Sequence, residues 1–365
     1  MLNDRPITGN DSMRTVADKK PDVKINPSYH ELRPADGGMY PWEKAYSDTY
    51  WEYRRKWAEN PKNFVVERFP IHLDIETTRV CNLRCPHCPR TQALQSGTLG
   101  PFGHISFDLF RKVIDEGAEK GLCSVKYNYL GEPLLHPKCV EMVRYAREKG
   151  ILDVMFNTNA TMLTEQKSRQ LIEAGLDKII FSFDAHDKKL YEELRAGADY
   201  DQVVGNILRF QKIRNEMGKM FPVTRVSMVK MKNNVDDYEN FVAFWKDKVD
   251  LVSTVDYQNP LGLDKVDRTS SEQEDTFFAC SQLWQRLFIW WDGSVHLCCG
   301  DYEGAIKLGN VKDKTIEEIW HSPQIERIRN LHQTGKYHVI DICARCNVNR
   351  MRPGGGLYVK GRELR

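Results

Sequence analysis

The stretch Cys81-Asn82-Leu83-Arg84-Cys85-Pro86-His87-Cys88 decides the fold, because it gathers three cysteines at C-x3-C-x2-C spacing. It follows an apolar run, 71–76, that is typical of a strand, so the cysteines are predicted to lie in a loop. Each iron of a [4Fe–4S] cluster needs a thiolate or a substitute ligand. Three cysteines this close can hold three irons of one cluster, which leaves the fourth iron open to a reactant.

The main alternative for these cysteines is a structural zinc site. Such sites close with four ligands and commonly contain C-x2-C pairs. His87 is wedged between Pro86 and Cys88 and cannot easily turn back onto the same metal. The spacing therefore favours an iron–sulfur cluster over zinc.

The composition is that of a globular protein without a strong charge bias. The 365 residues are enough for one large domain and a smaller one. The 53 basic and 51 acidic residues give a formal net charge of +2, and no long block of one sign is present. We therefore expect no nucleic-acid partner, since binding to the phosphate backbone needs clustered cations.

We expect a cytoplasmic location and no membrane contact. The N-terminus has no apolar stretch suited to a secretion signal, and no segment approaches the length that spans a bilayer. Ten cysteines in such a chain indicate metal or redox use in a reducing compartment, not a disulfide framework.

The sequence pattern divides the chain into five segments. These are a polar arm expected to be flexible (1–38), an aromatic helix (39–70), a strand–helix repeat (71–265), a cysteine-rich segment (266–350) and a basic tail (351–365). The aromatic helix has side chains spaced by three or four residues: Trp42, Tyr46, Tyr50, Tyr53 and Trp57. This spacing predicts a helix face that packs on the main domain, in preference to stacking on a substrate.

The strand–helix repeat predicts a parallel sheet. Strand-like runs lie at 71–76, 124–130, 152–157, 178–183, 223–230 and 251–257. Helical patterns begin at Ser106 and lie near 137–149, 164–174, 187–217 and 235–248. Six strand–helix units in series imply right-handed crossovers, in a doubly wound sheet or an incomplete barrel. In either fold the site lies beyond the carboxyl ends of the strands.

The cysteine motif, with the ring of His87 just before its last cysteine, resembles the signature of the radical SAM superfamily. The resemblance implies that S-adenosylmethionine (SAM) binds the open iron through its amino and carboxylate groups. One electron, from a flavodoxin- or ferredoxin-type donor, would then cleave it to methionine and a 5′-deoxyadenosyl radical that removes a hydrogen atom from the substrate. The implied fold is a partial (β/α)6 TIM-like barrel with a small C-terminal iron–sulfur extension.

Two loops at strand ends resemble parts of the family's SAM site. Leu130-Gly131-Glu132-Pro133 is similar to its GGE motif, with Leu130 in place of the first glycine. Gly131 would allow close approach of the backbone, and Glu132 would accept a hydrogen bond from the methionine ammonium group. Asn157 and Asn159, in Asn157-Thr158-Asn159, match a TNG-type loop, although asparagines are also common turn formers.

A third strand end supplies Ser182 and Asp184, and Arg195 follows. By resemblance, Ser182 and Arg195 hold the methionine carboxylate, for which a planar guanidinium is well suited. The alternatives are that Asp184 caps the next helix and that Arg195 is an ordinary surface charge.

The cysteine-rich segment resembles the SPASM/twitch extension of radical SAM enzymes, which holds auxiliary [4Fe–4S] clusters. Its candidate ligands are four cysteines: Cys280, Cys298, Cys343 and Cys346. No cysteine follows Cys346, so we expect one auxiliary cluster, and hence two clusters in the chain. A structural zinc ribbon is the alternative.

Cys299 leaves two possibilities open, since it neighbours Cys298. It could replace Cys298 as a ligand, or it could face the active site and donate a hydrogen atom.

The resemblance extends over about 71–346 to the twitch dehydrogenases of aminocyclitol pathways. It implies oxidation of a secondary alcohol to a ketone, on a small hydroxylated, sugar-like or aminocyclitol substrate, with the auxiliary cluster as electron acceptor. Three alternatives remain: a carbohydrate epimerase, a ribosomal peptide maturase and a non-enzymatic iron–sulfur electron carrier.

Overall fold

The structure is a computed structural model that describes residues 39–257 and 278–346, with short strand segments at 22–24, 29–31, 358–359 and 362–363. It has the predicted α/β architecture, a partial TIM-like barrel with a small C-terminal extension. Most of the expected polar arm and basic tail lies outside the described residues, as does the predicted boundary at 265–266 between the repeat and the cysteine-rich segment.

The strands are β1 (Asp22–Lys24), β2 (Tyr29–Glu31), β3 (His72–Ile75), β4 (Ser124–Tyr127), β5 (Asp153–Thr158), β6 (Lys178–Ser182), β7 (Val223–Lys230), β8 (Leu251–Asp256), β9 (Phe278–Cys280), β10 (Arg286–Ile289), β11 (Ser294–His296), β12 (Lys307–Asn310), β13 (Tyr358–Val359) and β14 (Arg362–Glu363). A sheet of ten strands runs in the order β12-β11-β10-β3-β4-β5-β6-β7-β8-β2. Its strands from β10 to β8 are parallel, whereas β12, β11 and β2 pair antiparallel. All six predicted strands are present.

The barrel sheet has a seventh parallel strand, β10, whose pairing with the barrel the sequence did not predict. β10 comes from the cysteine-rich segment and pairs with β3, so this segment continues the barrel sheet across its open edge. The chain turns at Trp291-Asp292-Gly293 between the antiparallel strands β10 and β11, where Gly293 has a φ of +87°. The repeat and the extension therefore share one hydrogen-bonded sheet.

The helices are α1 (Asp48–Asn63), α2 (Pro89–Gln95), α3 (Phe107–Lys120), α4 (Cys139–Glu148), α5 (Glu165–Glu173), α6 (Lys188–Leu194), α7 (Tyr200–Glu216), α8 (Tyr238–Trp245), α9 (Ile316–Trp320), α10 (Pro323–Gln333) and α11 (Asp341–Arg345). Ser106 caps α3 as predicted, since its side chain accepts a hydrogen bond from the Leu109 N–H. The single helix predicted over 187–217 is wrong. The chain turns between α6 and α7 at Gly197, whose φ of +98° ends helical geometry.

Helix α1 covers the N-terminal end of the barrel strands. Tyr50, Tyr53 and Trp57 form a buried cluster with Ile71, immediately before β3. The prediction that the aromatic face packs on the main domain is thus confirmed for these three rings. Trp42 precedes α1, in a short 3-10 helix, and packs on the start of β7 and β8. The predicted helix therefore begins later than the aromatic spacing indicated.

Successive side chains of a barrel strand point alternately to the outer hydrophobic core and to the barrel interior. Leu73 and Ile75 of β3 are fully buried in the main hydrophobic core, which the outer helices cover. His72 and Asp74 project from the opposite face, into the barrel interior, where Asp74 pairs with Arg286 of β10. The interior is therefore polar. Over the described residues, no helix is both long and apolar enough to cross a membrane.

Candidate functional site

One cavity of about 650 Å³ extends through the barrel interior. At one end it is lined by Cys81, Cys85 and Cys88, and at the other by aromatic side chains of α1. The loop that bears the three cysteines follows β3 and sits at the carboxyl ends of the strands, as the sequence predicts for this fold.

The three loop cysteines line the same part of the cavity. Burial raises the pKa of all three thiols, that of Cys88 to about 11, and the thiol of Cys85 further raises the pKa of Cys81 and of Cys88. Iron binding requires thiolates, so loading this site would release protons. The Leu83 N–H lies 3.5 Å from Cys81 Sγ, and Arg195 Nη1 lies 4.0 Å from Cys85 Sγ.

Asp184 connects the cysteine loop to the end of β6. Its buried carboxylate lies 2.6 Å from Arg195 Nε and 3.3 Å from His87 Nε2, and it accepts a 2.8 Å hydrogen bond from the Val229 N–H. Burial opposes ionisation of Asp184, but Arg195 and then His87 hold its pKa well below the usual range. Asp184 is therefore not a helix cap; the cap of α6 is Asp187.

Asn159 ties the same loop to the end of β5. Its side-chain amide donates to Asn82 Oδ1 at 3.0 Å, and its backbone N–H donates to Glu132 Oε2 at 2.8 Å. Asn157 and Ser182 also line the cavity, and Asn157 Oδ1 is buried with no hydrogen-bond partner among the described residues. The strand ends thus converge on the cysteine loop.

Glu132 is held in place by three donors. Its carboxylate accepts hydrogen bonds from Thr158 Oγ1, the Asn159 N–H and the Leu134 N–H at 2.7, 2.8 and 3.1 Å. An ionised carboxylate offers about four acceptor positions, so roughly one remains for a ligand. The backbone of Gly131 makes a close approach, as predicted, and the group that it approaches is the backbone of Thr78. A Cβ at position 131 would lie 1.9 Å from the Thr78 carbonyl oxygen.

The second cysteine group forms in the extension. Burial raises the pKa of Cys298, and so do the nearby thiols of Cys299, Cys343, Cys280 and Cys346. Cys299 has further neighbours: Gln282 Nε2 lies 3.1 Å from its Sγ, Arg286 and Asp74 influence its pKa, and its thiol raises the pKa of Cys280. Cys298 thus lies near the other three predicted ligands, whereas Cys299 lies near Cys280 and near side chains of the barrel interior.

The donors of both groups suit iron–sulfur clusters. Thiolates are the ligands of such clusters, and Cys280 of the second group lines the same cavity as the first group. Within residues 39–257 and 278–346, no three His, Cys, Asp or Glu side chains converge tightly enough to hold a single metal ion. The assignment to clusters therefore depends on the thiol donor sets and their shared cavity.

Two tyrosines near the cysteine groups were not predicted from the sequence. Burial and then the thiols of Cys299, Cys88 and Cys298 raise the pKa of Tyr302, so this ring is close to both groups. Tyr302 packs against Tyr129, with 5.7 Å between ring centroids. Tyr129 has a φ of +132°, a strained value for a non-glycine residue. No spacing rule marks either residue, because their proximity depends on β4 and the extension meeting in three dimensions.

Charged side chains inside the barrel were also missed, although the sequence carries a signal for them. His72 and Asp74 alternate with apolar residues in β3, and Lys126 does so in β4. Polar residues at every second position of a buried strand indicate a polar barrel interior.

Comparison with known protein families gives two matches. Residues 75–244 match the Radical SAM superfamily, and residues 280–347 match SPASM, an iron–sulfur cluster-binding domain. The first range contains the C-x3-C-x2-C loop, and the second contains the second cysteine group.

Similar proteins agree with these matches. The chain is 27% identical over 324 residues, covering 76% of this chain and 87% of the relative, to a tungsten-containing aldehyde ferredoxin oxidoreductase cofactor-modifying protein of Pyrococcus furiosus. The structure of SuiB from Streptococcus suis bound to S-adenosylmethionine has a TM-score of 0.61 at 19% identity, covering 85% of this chain and 79% of SuiB. BtrN in complex with AdoMet and 2-DOIA has a TM-score of 0.52 at 19% identity, covering 77% of this chain and 94% of BtrN. At these identities the two structures support the fold.

Replacing Gly131 by alanine should destabilise the protein and displace the loop that precedes Cys81. The new Cβ would meet the Thr78 backbone at 1.9 Å, so one of the two segments must move. We expect the free energy of unfolding to fall by about 1–3 kcal/mol. Gly205→Ala is the matched control, because its Cβ meets nothing within 4 Å and alanine favours its helix. Equal unfolding free energies for the two variants would show that the close approach is not a constraint.

Asp184→Asn should lower the free energy of unfolding by about 3–5 kcal/mol at neutral pH, because it leaves the buried Arg195 without its anion. The folded-state pKa of Asp184 is depressed, so its contribution is present above the unfolded value of about 3.9 and is lost as the pH falls below it. Denaturant titrations at several pH values test this.

The matched control for Asp184 is Asp201→Asn, which removes an exposed partner of Lys188 and should cost less than about 1 kcal/mol. A difference between wild type and Asp184→Asn that stays constant down to acid pH would contradict the role given to this carboxylate.

Proposed function

Because the chain carries a radical SAM domain followed by a SPASM iron–sulfur domain, with SAM and [4Fe–4S] clusters as cofactors, we propose that it oxidises a secondary alcohol of a small hydroxylated substrate to a ketone. The observation that carries this proposal is the single cavity lined by cysteines of both groups. A substrate inside it would lie between a radical source and an electron acceptor.

When bound, the first cluster and SAM together supply a 5′-deoxyadenosyl radical. We propose Cys81, Cys85 and Cys88 as ligands of that cluster, and Cys280, Cys298, Cys343 and Cys346 as ligands of one auxiliary cluster. Four thiolates close the auxiliary site, so its proposed role is to accept an electron.

The proposed SAM contacts follow from the strand ends. The remaining acceptor position of Glu132 would take the ammonium group, and Ser182 with Arg195 would hold the carboxylate. Asp184 and His87 would act through positioning, since Asp184 fixes both Arg195 and the cysteine loop. Asn157, with its unsatisfied buried oxygen, would accept a hydrogen bond from the bound cofactor, and Asn159 would position the loop.

The proposed conversion balances as a two-electron oxidation. The carbinol C–H bond would break homolytically, and the hydrogen atom would end in the methyl group of 5′-deoxyadenosine. The carbon–oxygen double bond would then form as the hydroxyl group loses its proton and the residues of the auxiliary site hold the acceptor of one electron. A flavodoxin- or ferredoxin-type protein is the proposed donor of the electron that starts each turnover.

Anaerobic reconstitution tests the proposal. We expect about eight irons per chain, for two four-iron clusters. Reduced protein with SAM and a panel of hydroxylated compounds, each deuterated at the carbinol carbon, should yield deuterated 5′-deoxyadenosine and a ketone. About four irons would remove the auxiliary cluster and the proposed oxidation, and the absence of 5′-deoxyadenosine would favour an electron carrier.

Paired variants separate the two cysteine groups. The double change Cys343→Ala with Cys346→Ala should lower the iron content to about four per chain, keep SAM cleavage and abolish the ketone. Cys123→Ala is the matched control, because this thiol lies at the opposite end of β4 and belongs to neither group.

An epimerase is the second candidate, and the surroundings of Cys299 favour it. Its thiol contacts Gln282, which lines the cavity, and lies near Arg286 of the barrel interior. A cysteine there could return a hydrogen atom to a substrate radical. In deuterium oxide an epimerase would give a stereoisomer carrying solvent deuterium, and Cys299→Ala would abolish it; a dehydrogenase would still give the ketone after this change.

A further inference from the structure

Three cationic side chains line the barrel interior beneath the cysteine loop. They are Lys126 of β4, Arg225 of β7 and Arg286 of β10. The carboxylate of Asp74, which is 4% exposed, lies 3.1 Å from Arg286 Nη1. Lys126 occupies the position directly beside Asp74 on the neighbouring strand.

Asp74 does not pair with Lys126. Its carboxylate is already engaged by Arg286 and lies 3.4 Å from His72 Nε2. Burial lowers the pKa of His72, so this ring is neutral at neutral pH. Within residues 39–257 and 278–346, no hydrogen bond and no ion pair within 4.0 Å reaches the Lys126 ammonium group.

The other carboxylates that line the cavity have partners other than Lys126. Asp153 pairs with Lys178 at 2.6 Å, and Asp256 pairs with Lys230 at 2.9 Å. Glu132 accepts three hydrogen bonds, and Glu43 accepts one from the Tyr40 N–H. These groups therefore do not serve Lys126.

The pKa of Lys126 reflects these surroundings. Burial and the nearby Arg225 and Arg286 lower the pKa of Lys126 to about 8, against the opposing effect of Asp74. Arg286 Nε is also buried without a hydrogen-bond partner among the described residues. A buried cation that lacks a partner is costly, so this arrangement is suited to a ligand that supplies negative charge.

We propose that the substrate carries a carboxylate or phosphate group, which binds inside the barrel between Lys126, Arg225 and Arg286. This inference rests on the proposed function, because it assigns the cavity to the substrate. An anionic group anchored there would direct the rest of the substrate toward the cysteine loop at the carboxyl ends of the strands. A cationic aminocyclitol would meet like charges, so the substrate class is a hydroxylated acid or a phosphorylated alcohol.

The test is anion binding by the reconstituted protein without SAM or reductant. Titration calorimetry with inorganic phosphate and, separately, with acetate measures the dissociation constants; the tighter anion indicates the substrate class. Lys126→Met should weaken binding about ten- to hundredfold, because it removes a charge-assisted hydrogen bond, and Lys126→Arg should largely preserve it. Lys212→Met, on an exposed lysine of α7, is the matched control and should bind as wild type does.

A second variant tests whether negative charge in the barrel interior opposes anion binding. Asp74→Asn removes the negative charge that pairs with Arg286 and lies beside Lys126, and should strengthen anion binding. The proposal is overturned if neither anion binds, if Lys126→Met and Lys212→Met bind alike, or if Asp74→Asn weakens binding in a protein whose thermal unfolding is unchanged. These titrations are independent of SAM cleavage. The absence of 5′-deoxyadenosine would therefore refute the proposed function, whereas the anion site is tested by the binding data alone.

Discussion

The buried carboxylate of Asp184 is the constraint on which the rest of the site depends. It holds Arg195 and His87 at once, and so fixes the cysteine loop against the end of β6. Asn159 does the same from β5 through Asn82. A loop with three thiols would otherwise have many conformations, and these bonds restrict it to the carboxyl ends of the parallel strands, where a barrel places its chemistry.

The C-terminal extension belongs to the same hydrogen-bonded sheet as the barrel. Because β10 pairs directly with β3, the chain on either side of β10 brings Cys280 and Tyr302 to the cavity. Two cysteine groups far apart in sequence are thereby connected through one interior space. This proximity is what favours a reaction in which radical formation and electron removal occur on one bound substrate.

Much of this could be predicted from sequence, because local patterns are strong there. The C-x3-C-x2-C spacing, the alternation of strands and helices and the cap at Ser106 each depend on neighbours in the chain. The pairing of β10, the break before α7 and the positions of Tyr129 and Tyr302 depend on contacts between distant segments. The interior charges of β3 and β4 lie between these cases, since their alternation is visible in sequence but the pairing of Asp74 with Arg286 is not.

The account depends most on an open iron in the cluster bound by the first cysteine group. Electron paramagnetic resonance of the reduced protein, before and after addition of SAM, measures this directly. We expect SAM to change the signal of that cluster in wild type and in the variant that lacks Cys343 and Cys346. The spectrum of this variant contains the signal of one cluster, so a change can be assigned to it. A signal that SAM leaves unchanged in both proteins would mean that the first site is closed, and would contradict the account.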